Sequence, residues 1–391
     1  MSASQRPRTL AAARDACDYA SRLQSTGRSV PTSTVLFPLG PFSPALTQPL
    51  GLTLRLRGET VAGIEPVITG YCHRGVCELA GGEPLEDALA IVERACSLAH
   101  ESHRIAVCMA VEKATGGKVA KPAAQTRVLF AEIERIHARF WTLAHVARAF
   151  GLNGPMQDAL EQRESLFDAL KTATGQRHYW GVSVPGGVRG GMDLEPLSAA
   201  LATLEPALAI WRRIVGPQGA LGRAGKGVGV IAAERAEDLG LTGLAARGSR
   251  AVADLRFTQK YGAYADLSRK DTERKIDQSG DIAARLVCAV EDIAVSLTLA
   301  QTCASALATS SATAAGITPA GSLSGSARVE GPHGPIEATV TLAGGTLASL
   351  ELHEPGAENL AALPELLEGQ SLAQVPALLA SLDLCVECRD L

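Results

Sequence analysis

The sequence predicts an α+β fold: a central bundle of long helices, a small antiparallel sheet before it and a short β segment after it. Three observations carry this. Leu52, Leu54 and Leu56 alternate with polar partners, the period of a half-buried strand. Residues 85–113 and 122–150 form two long helical stretches, parted by Gly116-Gly117 and Pro122. Alternation returns at Ala338-Thr339-Val340-Thr341-Leu342, closed by Gly344-Gly345.

In chain order, residues 8–25 read as a short amphipathic helix joined through Pro31 to the rest, so 1–33 is an appendage and 34–391 the main domain. Strands are expected at 35–39, 50–59 and 61–67, with Arg57-Gly58-Glu59-Thr60 turning a hairpin. The helical block follows. Asp281 opens another long helix, where a carboxylate neutralises the positive N-terminus. Residues 327–334 and 338–342 return to strands before the tail that carries Cys385 and Cys388.

Composition narrows the function. With 46% hydrophobic and 20% charged residues the chain buries an ordinary globular core, and a net charge of -4 gives no general attraction for nucleic acid. No run of about 18 residues is continuously apolar, and the charge-free stretch 295–327 is broken by Ser, Thr and Gly, so membrane contact is expected through partners. Residues 1–28 lack an apolar signal core, and nine cysteines then fit a reducing compartment. Cys17, Cys108, Cys288 and Cys303 lie in apolar helical patterns and are expected to pack as small hydrophobes.

The chemistry gathers at two stretches. Cys96, Ala99 and His103 stand at i, i+3 and i+7, one face of a helix, and the tail carries Asp383, Cys385 and Cys388. Three thiols and an imidazole make a Cys3His set suited to zinc or another soft metal; buried cysteines packing as hydrophobes are the alternative.

Here the chain resembles the large subunit of nickel-iron hydrogenases, whose motifs read Arg-x-Cys-Gly-x-Cys-x-x-x-His and Asp-Pro-Cys-x-x-Cys, and the quinone-site subunit of respiratory complex I, which shares that fold without the metal. Arg94, Cys96 and His103 match the first motif, and Asp383, Cys385 and Cys388 the second. Ala99 stands where the hydrogenases place a thiolate shared by nickel and iron.

Other segments follow the same families in order. Gly40-Pro41-Phe42-Ser43-Pro44-Ala45 is similar to Gly-Pro-x-His-Pro-Ala, with Ser43 in place of the quinone-site His. Gly70-Tyr71-Cys72-His73-Arg74-Gly75 is followed by Cys77 where the family has a proton-passing Glu, and Glu78 stands one residue further on. Ala110-Val111-Glu112-Lys113 and the 127–137 run match segments that imply buried ion pairs of Glu112, Arg127, Glu134 and Arg135 between helices. Pro185-Gly186-Gly187-Val188-Arg189 matches a family loop; no phosphate-binding pattern accompanies it.

The resemblance, over residues 34–391, implies a hydrogenase large-subunit-like fold and an electron-transfer subunit of a membrane-associated, ion-translocating oxidoreductase complex. His103, Glu78 and Cys77 are then the candidate catalytic groups, Ser43, Ser97 and His103 the acceptor-binding ones, and Cys96, Cys385 and Cys388 an incomplete metal set. It implies an iron-sulfur small subunit like that of complex I, carrying a 4Fe-4S cluster, with further peripheral and membrane subunits. Quinone is a candidate acceptor, and the expected location is the cytoplasmic side of the membrane, held through partners. Two alternatives stand beside this: a non-catalytic structural or coupling role, and an atypical nickel-iron hydrogenase.

Overall fold

The computed structural model describes residues 34–249, 254–267, 279–308, 317 and 321–391. The helix expected over 8–25, with Cys17 and the linker, lies outside the described residues.

Strands β1 (Val35–Pro38), β2 (Thr53–Arg57) and β3 (Thr60–Ile64) form an antiparallel sheet in that order. Arg57 pairs with Thr60, so Gly58-Glu59 is a two-residue turn, and Gly58 takes a positive φ of 59° that suits glycine. Leu54 and Leu56 point into the core while Arg55 and Arg57 face out.

Two short helices follow, α1 (Val76–Ala80) and α2 (Leu85–Val92). The single helix expected over 85–113 is interrupted. After Val92 the chain tightens through Arg94 N–H to the Ile91 carbonyl and Ala95 N–H to the Val92 carbonyl, both 2.9 Å, and α3 (His100–Thr115) starts anew at His100. The buried Glu93 carboxylate fixes the break: it accepts from Gly181 N–H at 2.5 Å and pairs with Arg104 at 3.2 Å. Cys96 therefore precedes the helix and Ala99 caps it, so Cys96 and His103 do not share a helical face.

Helix α3 ends at Gly116, in the left-handed conformation, and α4 (Lys121–Ala149) begins with Pro122 in its first turn, as the sequence signals. Around α4 pack α5 (Asn153–Thr174), α7 (Ile282–Leu307) and α8 (Val375–Ser381), and α6 (Glu195–Val215) packs outside them against α5 and α7. Asp281 caps α7 by accepting from Ala284 N–H at 2.8 Å. Leu129, Phe130, Ile133, Phe140 and Trp211 fill this bundle, and the Leu54/Leu56 face of the first sheet joins the same core.

The pair of Glu112 and Arg127 is bidentate, 2.6 and 3.0 Å, and holds a hairpin of β4 (Ser183–Val184) and β5 (Gly187–Val188) through the Val184 and Gly187 carbonyls. Glu134 and Arg135 are buried as expected but not with each other. Glu134 accepts from the Glu101 and Ser102 amides, whereas Arg135 donates to the Glu330 and Gly331 carbonyls.

The C-terminal β segment is longer than the sequence suggests. Strands β6 (Ser322–Gly331), β7 (Gly334–Ala343) and β8 (Thr346–His353) form an antiparallel sheet laid on α3. Strand and helix approach closely at Gly325, where a Cβ would stand 2.3 Å from the Ala110 carbonyl oxygen. Ile336, Ala338, Val340 and Leu342 join Val107, Val111 and the thiols of Cys96, Cys108, Cys385 and Cys388 in a second core, while Cys288 and Cys303 are buried in the bundle. A last helix, α9 (Val386–Arg389), ends the chain.

Candidate functional site

Three segments distant in sequence converge between the bundle and the C-terminal sheet: the 93–99 turn, the Pro332-His333 turn of β6–β7, and residues 383–390. Hydrogen bonds tie them down. Ser97 donates through N–H and hydroxyl to Glu387, both 2.8 Å, Arg74 donates to the Ala95 carbonyl at 2.7 Å, and Cys72 N–H reaches Asp390 at 3.0 Å. The Gln48 side chain accepts from the Val386 and Glu387 amides, satisfying the first turn of α9.

This brings the three thiols of Cys96, Cys385 and Cys388 together. Cys385 Sγ lies 3.4 Å from Cys96 Sγ and 2.9 Å from Cys388 Sγ, and all three residues are buried. Burial raises each thiol, Cys96 to about 11. At Cys385 the donors from Cys388 and Cys96 outweigh burial and hold the group below the ordinary thiol range, so the cluster favours a thiolate at that sulfur.

Two histidines flank the cluster. His103 sits in the first turn of α3 with Nδ1 2.6 Å from the Ala99 carbonyl, which requires a proton on Nδ1. Its Nε2 is 2.8 Å from Glu354 Oε1 at the end of β8. Burial alone would lower this imidazole; Glu354 outweighs it and raises His103 to about 9, an imidazolium-carboxylate pair at neutral pH. His103, Glu354 and Cys388 place their ligand atoms within 4.8 Å of one another.

His333 is the second. Its Nδ1 is 3.0 Å from Asp383 Oδ2, and its Nε2 faces the Cys96 thiol without a well-formed hydrogen bond. The ring lies within 4.8 Å of the Cys96 and Cys385 sulfurs. Asp383 also accepts from Arg139 and Thr142, each at 2.6 Å. His333 and Arg139 overcome burial to hold its carboxyl below the usual range. From Arg139 the charge chain continues to Asp292 at 2.8 Å, then to Arg256, also at 2.8 Å, and on to Glu132.

The remaining candidates stand further out. Cys77, in α1, feels the Glu354 charge and is pushed up to about 11, mainly by burial. Glu78 is exposed on the same helix, beside Gly75. The Ser43 hydroxyl accepts from Ala45 N–H at 3.2 Å, and Ser97 is committed to Glu387. His333 and Glu354 carry no motif in the sequence. The one hint is position: each sits where a strand ends beside Pro and Gly, in Pro332-His333-Gly334 and Glu354-Pro355-Gly356.

A nickel-iron pair does not fit this set. Bridging thiolates are part of such a centre, and at position 99 the site presents a buried methyl group.

Residues 150–317 match the family model described as respiratory-chain NADH dehydrogenase, 49 Kd subunit. The chain is 30% identical over 284 residues to the NADH-quinone oxidoreductase D 2 subunit of Sinorhizobium medicae, covering 72% of this chain and 69% of that protein. It is 26% identical over 363 residues to the carbon monoxide-induced hydrogenase of Rhodospirillum rubrum, 92% of this chain and 99% of that one. In three dimensions it matches a chain of the membrane-bound sulfane sulfur reductase, an archaeal respiratory membrane complex, with a TM-score of 0.82 at 24% identity over 92% of this chain and 98% of the other, a likeness of fold. Among the described residues no helix is long and apolar enough to cross a membrane.

Proposed function

The chain belongs to the family of the 49 kDa subunit of respiratory-chain NADH dehydrogenase, the D-type subunit of NADH-quinone oxidoreductase, and on that premise we propose that it serves as the electron-transfer subunit at the acceptor site of its complex. It is a subunit of a multi-subunit, membrane-associated oxidoreductase. The observation that carries the finer reading is the buried His103–Glu354 pair beside three clustered thiols: a held proton next to redox-capable sulfur.

In this reading an iron-sulfur subunit docks over the turn that carries Cys96 and Ser97 and presents a 4Fe-4S cluster there, on the cytoplasmic side of the membrane. The acceptor takes its electrons from that cluster and a proton from His103 Nε2, and the ring regains a proton from water while the Glu354 carboxylate favours its charged form. The Ala99 carbonyl on Nδ1 keeps Nε2 as the active nitrogen. Between Gln48, Trp141, His333 and Leu384 the chain leaves a cavity of about 10 Å³, room for a single water. A quinone head group or another small acceptor therefore needs the wall that the partner completes.

A second reading, a structural or coupling subunit without its own chemistry, draws support from the hydroxyls of Ser43 and Ser97, both engaged within the chain. One experiment separates the two. His103→Gln is introduced into the assembled complex and acceptor reduction is measured with assembly checked in parallel. Turnover falling by about 10²-fold supports the first reading, in line with the loss of a general acid; unchanged turnover in an intact complex supports the second and overturns the first.

A further inference from the structure

A buried histidine is most often a packed core residue, and that explanation is tested by its two nitrogens. At His333 one is well placed: Nδ1 against Asp383. The other, Nε2, makes no hydrogen bond of good geometry although the residue is only 5% exposed, and the Cys96 thiol is the group it faces. Leaving such an atom dry and unpaired costs about 1–3 kcal/mol. The atoms nearest to it that could use a lone pair's partner are sulfurs, since the ring stands within 4.8 Å of both Cys96 Sγ and Cys385 Sγ.

A cation resolves this arrangement. The geometry points to a single soft divalent ion of the zinc class, held by Cys96, Cys385 and His333, with water at the fourth position.

Each part of the site then has a task. Asp383 on Nδ1 fixes the ring and its tautomer, as a carboxylate does for a metal-bound histidine, and Arg139 and Thr142 fix Asp383. Two thiolates and an imidazole are the donors that zinc prefers. Cys388 Sγ, although 2.9 Å from Cys385 Sγ, groups with His103 and Glu354, so a nitrogen ligand from the β6–β7 turn stands in for the thiolate absent at Ala99. Binding displaces the thiol protons to solvent and involves no change of oxidation state. The other histidine is less available: His103 has Nδ1 on the Ala99 carbonyl and Nε2 on Glu354. Cys72 and Cys77 belong to neither cluster among the described residues.

The ion deepens the reading of this same site, but it is detected without turnover. A metal-free chain overturns the ion and leaves electron transfer to be judged by the His103→Gln assay. The test is elemental analysis of the purified complex by mass spectrometry, normalised per chain, with cobalt substitution read by its thiolate charge-transfer and tetrahedral absorption bands. One zinc per chain is expected in the wild type, lost in His333→Ala, retained in His333→Cys and retained in His103→Gln. Asp383→Asn should bind roughly 10–100-fold more weakly. Because His333→Ala can fail to fold, the Cys and His103 variants and the cobalt spectrum carry the result independently. An ion retained in His333→Ala, a stoichiometric nickel content, or a Cys385–Cys388 disulfide with no bound ion overturns the inference.

Discussion

His103 Nε2 and Glu354 Oε1 stand 2.8 Å apart, 251 positions apart in sequence, in an environment where neither group meets bulk water freely. Burial without the carboxylate would favour neutral imidazole, so the charge on His103 depends on Glu354. Glu354→Gln is expected to move the His103 titration from about 9 to below its ordinary value of 6.5. Histidine NMR, or the pH profile of acceptor reduction, reads the shift. A His103 titration unmoved in Glu354→Gln would remove the pair from the proton path.

The same pair makes a stability statement. A histidine whose folded pKa is raised contributes stability that is present below the unfolded value and is lost as pH rises through the folded one, here between about 6.5 and about 9. Denaturant unfolding of the complex at steps across that window should show a downward slope that is reduced in Glu354→Gln, the remainder belonging to His333, Glu101 and Glu134. A slope of equal size in both proteins would assign it to other groups.

Carboxyls raised by burial give a second, lower window. Glu134 is pushed up to about 7 and Glu101 to about 8, burial being the main cause in each, eased by hydrogen bonds from Ser102 and Ser183 respectively. Both retain protons in the folded chain that the unfolded chain has released. Their stabilisation is complete below about 4.5 and is lost as pH climbs through 7 to 8, on the order of 1.4 kcal/mol per pH unit for each group inside its window. Glu134→Gln should flatten the slope between pH 5 and 7; a variant with the wild-type slope would contradict this.

Much of this architecture was legible from side-chain periodicity. The Leu54/Leu56 alternation, the Gly116 and Pro122 punctuation and the Asp281 cap each mark an element that forms where the sequence places it. The break at 93–99 was not, because Arg94, Ala95, Cys96 and Leu98 suit a helix and the cause is tertiary: Glu93 reaching Gly181 and Arg104. The site was half legible. Its thiols announce themselves by spacing, whereas His333 and Glu354 become recognisable only once the β6–β7 turn and the end of β8 are folded against α3. Spacing along the chain carries no information about a ligand supplied by a distant turn.

Arg139 tests whether the buried charges act as a unit. Its guanidinium contacts Asp292 at 2.8 Å and Asp383 at 2.6 Å and donates to the Pro332 carbonyl, with no side-chain exposure. Arg139→Ala removes the positive partner of two buried carboxylates and frees the turn that carries His333. A loss of about 3–5 kcal/mol is expected from the stranded charges, measured by denaturant unfolding. Arg139→Ala combined with Asp383→Asn should recover part of that loss, since Asp292 keeps Arg247 and Arg256 whereas Asp383 is left without a guanidinium. Strict additivity of the two substitutions would mean that Arg139 and Asp383 are not coupled.

Val35 and Phe42 are 64% and 76% exposed, on the edge strand β1 and on the loop that leads to Gln48. Phe42 also stacks edge-on against Tyr71 at 6.0 Å, so the ring is held outward rather than swinging free. Gln48 in turn caps α9 beneath the thiols, which links this apolar surface to the site. An aromatic anchor fixed in place beside a redox face is a natural contact for a partner subunit of the complex, because apolar burial there also excludes water from the thiols. Phe42→Asp should cost at least about 2 kcal/mol of association and lower co-purification of that subunit, leaving the metal content of the chain unchanged. Full co-purification in Phe42→Asp would place the docking surface elsewhere, and loss of both partner and metal would show that the substitution reaches the site through Gln48 instead.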